Sequence, residues 1–235
     1  MAAQTNRHPQ KLLLNIYISF MGLVCVVPLI YYLDTQTYRY IVREDHWVEY
    51  LTALFLLWCA ASIFRSLCRK WSHISKRQKF GLMLMGMAMF VGFGEEISWG
   101  QRIFDILSPD FFSKYNLQGE TNIHNLKVFD IKLNQWLFTY GVVFVFAVYF
   151  YLPFGIQKFK TLQKYVHNFG ILIPNKSQSL IFLGVSAILH IYDVPKVSEL
   201  WEFAFACTLT IICHTHTNQD DLSEKVLIKK PPSQE

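Results

Sequence analysis

The sequence predicts an all-α fold: a polytopic membrane helical bundle of about six transmembrane helices, with an amphipathic outer loop between spans three and four. Three observations predict it. Of the 235 residues, 52% are hydrophobic and 17% are charged, against roughly 25% charged in ordinary soluble domains. The apolar residues come in blocks of about the length of a membrane span, not at amphipathic spacing. The basic residues gather in short loops between blocks, which excludes the nucleic-acid partner that a net charge of +5 would suggest. Membrane lipids are the expected surroundings. The five cysteines form no CxxC and read as small core residues.

Residues 1–11 are polar and carry Arg7 and Lys11. The first apolar block, 12–33, follows a basic start as a signal peptide would. It has the length of a full span and no clear A-x-A cleavage site, so a retained helix is expected. A polar connection at 34–45 leads to the second span, about 47–67. Then comes a basic hairpin, 65–79, with six Lys and Arg and no acid. The third span, about 80–99, is rich in Gly, Ala and Met, and Gly81, Gly86, Ala88, Gly92 and Gly94 would let neighbouring helices approach closely. Its connection to the fourth span, 100–133, holds the turn signal Ser108-Pro109-Asp110 and reads as short amphipathic pieces at the interface. The fourth span is about 136–156. A second basic loop carries Lys158, Lys160, Lys164 and Lys176 and no acid. The fifth span is about 180–192 and the sixth about 200–213. One transmembrane domain, 1–213, and a polar tail, 214–235, complete the chain. The positive-inside rule places the two basic loops, the tail and both termini in the cytoplasm.

With that topology the other titratable groups fall on the outer side. Glu44, Asp45, His46 and Glu49 open the second span, and Glu95, Glu96 and Arg102 close the third. Glu120, His124 and Asn125 lie in the outer loop. His190 and Asp193 close the fifth span, and Glu199 and Glu202 open the sixth. His46/Glu49, His190/Asp193 and Glu199/Glu202 are i,i+3, and Glu120/His124 are i,i+4, spacings that put both side chains on one face of a helix. Such pairs suit a divalent metal or general acid–base work. The expected catalytic residues are Glu49, Glu95, Glu96, Arg102 and His124. The expected metal ligands are Glu95, Glu96, His124, His190, Asp193 and Glu202. Arg102, seven residues beyond Glu95, would hold an anionic head group or neutralise Glu95. The helix dipole alone accounts for acids at helix starts, such as Glu44 and Glu199, but it opposes Glu95 and Glu96 at a helix end. His214 and His216 also resemble a metal pair, beside a loose tail.

The strings GEEISWGQR (94–102) and NLQGETNIHN (116–125), with EDHWVEYLTALFLL (44–57), resemble an uncharacterised family of small bacterial multi-pass inner-membrane proteins. The resemblance covers the middle of the chain and implies a bacterial inner membrane. It implies no activity. The layout of CAAX-type intramembrane proteases, a Glu pair with Arg three residues beyond, is not met, because five residues separate Glu96 from Arg102. Alkaline-ceramidase-like hydrolases use an HxxxH pair that this chain lacks. Three functions stay open: a hydrolase or transferase acting on a lipid or lipid-linked substrate, metal-dependent or not; a non-catalytic partner or assembly subunit with a structural polar network; and a small-solute or ion-coupled transporter.

Overall fold

The computed structural model describes residues 7–43, 46–123, 125–128, 131–132 and 143–217. Among these the chain is helical, apart from one short ribbon. In order the helices are α1 (Arg7–Leu33), α2 (Thr35–Ile41), α3 (Trp47–Lys70), α4 (Lys76–Glu96), α5 (Asp110–Tyr115), α6 (Val143–Gly155), α7 (Lys160–Phe169), α8 (Lys176–Ile191) and α9 (Val197–Thr215). The ribbon pairs β1 (Lys127–Val128) with β2 (Ile131–Lys132), antiparallel.

Three of the described helices are long and apolar enough to cross a membrane: Lys11–Leu33 within α1, α3 and α9, with mean hydropathies of 2.3, 1.8 and 1.2. α8 is apolar but shorter. Leu12, Leu23 and Leu29 of α1, Leu54 and Trp58 of α3 and Leu84 of α4 all lie exposed. A soluble protein rarely leaves so continuous an apolar surface open, whereas a bilayer covers it.

The polar ends of the helices are fixed by capping. Ser75 and Gln78 form a capping box at α4, and Asn175 and Gln178 form another at α8. Contacts then join 70–79, 158–176 and 214–217 at one end of the bundle. Gln78 Nε2 donates to His167 O (3.2 Å), Gln178 Nε2 to Thr215 Oγ1 (2.6 Å) and Thr217 N to Ile173 O (2.9 Å). This end holds both basic loops. At the opposite end Tyr38 Oη donates to Pro195 O (2.8 Å).

α9 is the central pillar, with every residue from Phe203 to Ile212 buried. α3 runs parallel to it, since Thr210 Oγ1 donates to Phe55 O (2.8 Å) and Ser62 Oγ meets His214 Nε2 (3.4 Å) further along. α4 returns antiparallel to α3, with Gly86 under the Phe64 ring and Gly92 beside Leu56. α1 closes the group through Phe20, edge-on to Phe55 and Phe203 (5.9 and 6.1 Å).

The predicted spans differ from the helices in detail. The third ends at Glu96 rather than Trp99, and the fifth begins earlier, at Lys176. Of the fourth, 136–142 lies outside the described residues, as does the tail from 218. Two connections read as loops carry helices. α2 follows Asp34, whose carboxylate accepts from Gln36 N and Thr37 N (3.0 and 3.2 Å) and from Thr37 Oγ1 (2.5 Å). α7 ends at Gly170, whose φ of 62° stops the helix in a left-handed turn.

The Thr37 hydroxyl and amide bonds hold the Asp34 carboxyl below the ordinary carboxylate range. A lowered folded-state value means the cap is in place above that range and is lost as pH falls through the lowered value. Hydrogen exchange at Thr37 should therefore quicken on acidification in the wild type. In Asp34→Ala it should be fast throughout; an unchanged rate in that variant would count against the cap.

Candidate functional site

α4 ends abruptly. Ser98, Trp99 and Gly100 have φ of 46°, 55° and 79°, three consecutive residues in the left-handed region. For Ser and Trp this conformation is strained and needs surrounding structure to hold it. Part of that structure is Glu95, which is buried. Its Oε1 accepts from Trp99 Nε1 (3.0 Å), folding the indole back onto the helix. Gly94 makes room, because a Cβ there would lie 2.8 Å from the indole ring. Glu95 Oε2 accepts from Ile123 N (2.6 Å), so the same carboxylate ties the outer loop to the end of α4.

The loop itself is a cap built from short polar side chains. Glu120 Oε2 accepts from Ser98 Oγ (2.7 Å), from Asn122 Nδ2 (3.1 Å) and from Arg102 Nη2, with which it forms an ion pair. Asn122 Nδ2 also donates to Ser98 Oγ (3.0 Å). Asn116 Oδ1 accepts from the amides of Gln118 and Glu120 (2.8 and 3.1 Å), and its Nδ2 donates to Asn122 Oδ1 (2.8 Å). Gln101 Nε2 donates to Ser108 Oγ (2.6 Å), which donates to Gly119 O (2.6 Å), and Gln101 Oε1 accepts from Thr121 N (2.7 Å). An open cleft of about 440 Å³ lies beside this cap, lined by Gln101, Arg102, Asp105, Ser108 and Gly119 among others.

A second group of acids meets between helices. Glu96 of α4 lies within electrostatic reach of Glu202 and Glu199 of α9, Glu49 of α3 and its neighbour Glu95. Glu202 in turn feels Glu199 and Glu49. Glu49, Glu96, Glu199 and Glu202 are all partly buried. Three helices that share the interior of the bundle each bring acids to one place. Like charges held so close cost free energy, which a shared proton or a bound cation offsets.

The predicted site residues therefore separate. Glu49, Glu96, Glu199 and Glu202 lie within electrostatic reach of one another, and Glu95, next to Glu96, accepts from Trp99 and Ile123. Arg102 pairs with Glu120, and the helix that was to carry it round to Glu95 ends at Glu96, where the left-handed turn breaks the seven-residue periodicity. Glu120 is not on a helix but in a turn beside Gly119, whose φ is 70°, so its i,i+4 spacing to His124 carries no common face. His124, Glu44 and Asp45 lie outside the described residues. His190 and Asp193 are exposed at the end of α8 and beyond it. His46 is buried at the N-cap position of α3, with its ring 4.1 Å from that of Tyr40. Among the described residues no group of three His, Cys, Asp or Glu is placed to hold a metal ion. Of the predicted ligands, Glu96 lies within electrostatic reach of Glu95 and Glu202, Glu95 accepts from Trp99 and Ile123, and His124 is outside the described residues. Sequence reasoning passed over Asn116, Asn122 and Ser108, whose short polar side chains suit turns and loop bonds.

Compared with protein-family models, curated proteins and solved structures, the chain matches none.

Proposed function

We propose that this chain is a multi-pass protein of a bacterial inner membrane, acting as a hydrolase or transferase on a lipid or lipid-linked substrate at the outer ends of its helices. The observation that carries the reading is the meeting of Glu49, Glu96, Glu199 and Glu202 from α3, α4 and α9. Neighbouring carboxyls can divide the work between them, one as general acid and the other as base. Among the described residues no donor arrangement supports the metal-dependent version. Arg102 becomes a positioning residue for the cap rather than a holder of the head group, because Glu120 occupies it. In this reading the chain has six spans, 143–155 completing the fourth, and the basic end with both termini faces the cytoplasm. The exposed Ile103, Phe104, Leu107 and Phe111 of the outer loop then rest at the lipid interface.

The test is lipid mass spectrometry on a deletion strain complemented with wild type, Glu96→Gln or Glu202→Gln at matched protein levels. General acid–base contributions of about 10²–10⁴-fold predict that the variants leave the altered lipid species uncorrected. Full correction by both variants would sink the assignment. The cap favours a second reading, a non-catalytic partner or assembly subunit, because its polar groups satisfy one another as a structural network does. That reading predicts that Glu96→Gln lowers the amount of folded protein and leaves the lipid profile untouched.

A further inference from the structure

Cys59 of α3 and Cys213 of α9 meet across the seam between these parallel helices, sulfur to sulfur at 2.9 Å. Non-bonded carbon atoms rest about 3.5–4.0 Å apart and sulfur is larger, so the two thiols are pressed together. A disulfide is about 2.05 Å long, so an approach of roughly 1 Å separates this contact from a covalent bond. The seam holds the pair from both sides. Thr210 Oγ1 donates to Phe55 O one turn before Cys59 (2.8 Å), and Ser62 Oγ meets His214 Nε2 just after it (3.4 Å). Cys59 is 1% exposed. Cys213 lines a small cavity of about 20 Å³ with Ser62, Lys70 and His216, room for a single water. Among the described residues no other pair of thiols is in contact.

We infer that Cys59 and Cys213 are a redox pair, joined by a disulfide in an oxidised form of the protein, with a lipid-soluble quinone as the electron acceptor. One S–S bond forms and two S–H bonds break. Two electrons and two protons pass to the quinone, which leaves as the quinol, and the water-sized cavity beside Cys213 gives a leaving proton a carrier. Glutathione keeps cytosolic thiols reduced, but it is water-soluble, and Cys59, 1% exposed between apolar helices, is reached only when the seam opens toward the apolar phase. A quinone dissolves in the same phase as the seam. The bond would tie α3, which carries Glu49, to α9, which carries Glu199 and Glu202. Oxidation thereby fixes the separation of two of the three helices that build the acid group, and the inference stands whatever reaction those acids perform.

The experiment uses the full chain in detergent, treated with a fully substituted short-chain benzoquinone that cannot add to thiols, and in parallel with diamide. The protein is then denatured, alkylated with N-ethylmaleimide and weighed, and its peptides are mapped. In the untreated chain all five cysteines should take up maleimide. After quinone the expected uptake is three, with one linked peptide pair holding Cys59 and Cys213. Cys59→Ser and Cys213→Ser should each take up four with or without quinone, whereas Cys68→Ser should fall from four to two. Uptake of five by quinone- and diamide-treated wild type, or a linkage through Cys25, Cys68 or Cys207, would overturn the pair. Linkage by diamide alone would overturn the quinone as oxidant.

Discussion

Gly81→Ala should unseat α7 from α4 and lower the apparent melting temperature of the detergent-solubilised protein more than any other single added methyl. A Cβ at position 81 would lie 1.9 Å from the carbonyl oxygen of Phe169 and 2.9 Å from its carbonyl carbon. The obstacle is backbone at the last residue of α7, and it has little freedom. Gln78 Nε2 grips His167 O, and Gly170 turns the chain immediately afterwards. Overpacking costs about 1–3 kcal/mol and at times more, and a contact with backbone belongs at the upper end. At about 2–4 °C per kcal/mol for a chain of this size, a ~3 kcal/mol loss lowers the midpoint by about 6–12 °C. Gly184→Ala is the control, since nothing lies within 4 Å of its Cβ position. There the helix gains up to ~1 kcal/mol of propensity, and the midpoint should hold or rise. Equal midpoints in the two variants would mean that α7 does not sit on α4 as described.

Glu120→Ala is the second large effect, and it falls on the cap rather than the bundle. The substitution removes one acceptor from three donors at once: Ser98 Oγ, Arg102 Nη2 and Asn122 Nδ2. Ser98 and Asn122 are each 1% exposed, so neither can turn to solvent; Asn122 Nδ2 keeps its bond to Ser98 Oγ, and it is the Ser98 hydroxyl that loses its acceptor. A buried donor left without a partner costs about 1–3 kcal/mol. The Arg102 side chain is 23% exposed and recovers part of its loss by hydration. A net cost of about 2–4 kcal/mol follows for the local fold. Glu120→Gln keeps an acceptor for Ser98 and loses the charge, so it should fall between wild type and Ala. Hydrogen exchange over 98–123 is the direct readout. Protection there should drop in Glu120→Ala while α9 keeps its own, and unchanged protection in the loop would remove Glu120 as its centre.

The sequence made the apolar architecture plain where side chains alone decide it. α1, α3 and α9 stand out because a run of Leu, Val, Ile and Phe needs no partner to announce that it avoids water. The acids of α3, α4 and α9 were legible for a related reason, since a carboxylate one turn inside an apolar helix has no ordinary use there. What local spacing could not supply was the path of the chain after Glu96. Reading Arg102 against Glu95 assumed that the helix continued, and nothing in Ser98-Trp99 signals a left-handed turn, since both residues normally avoid it. The pairing of Arg102 with Glu120 spans eighteen positions and depends on that turn. α7 was hidden because Lys158, Lys160 and Lys164 mark a cytoplasmic loop and amphipathic helix alike. Cys59 and Cys213 lie 154 positions apart, beyond the reach of any motif.

The place of α9 bears on how the protein is made. α3 and α4 form an antiparallel hairpin joined by a short basic turn and can pack together as soon as both are made. Until α9 arrives, Glu49 and Glu96 lack the wall that shields them from lipid, and a charged group at lipid is costly. α9 is the last described helix, so the acid group is complete only once the chain has been made past Glu202. Truncation before Val197 therefore leaves the α3–α4 hairpin without its central pillar, the kind of unfinished substrate on which quality control acts.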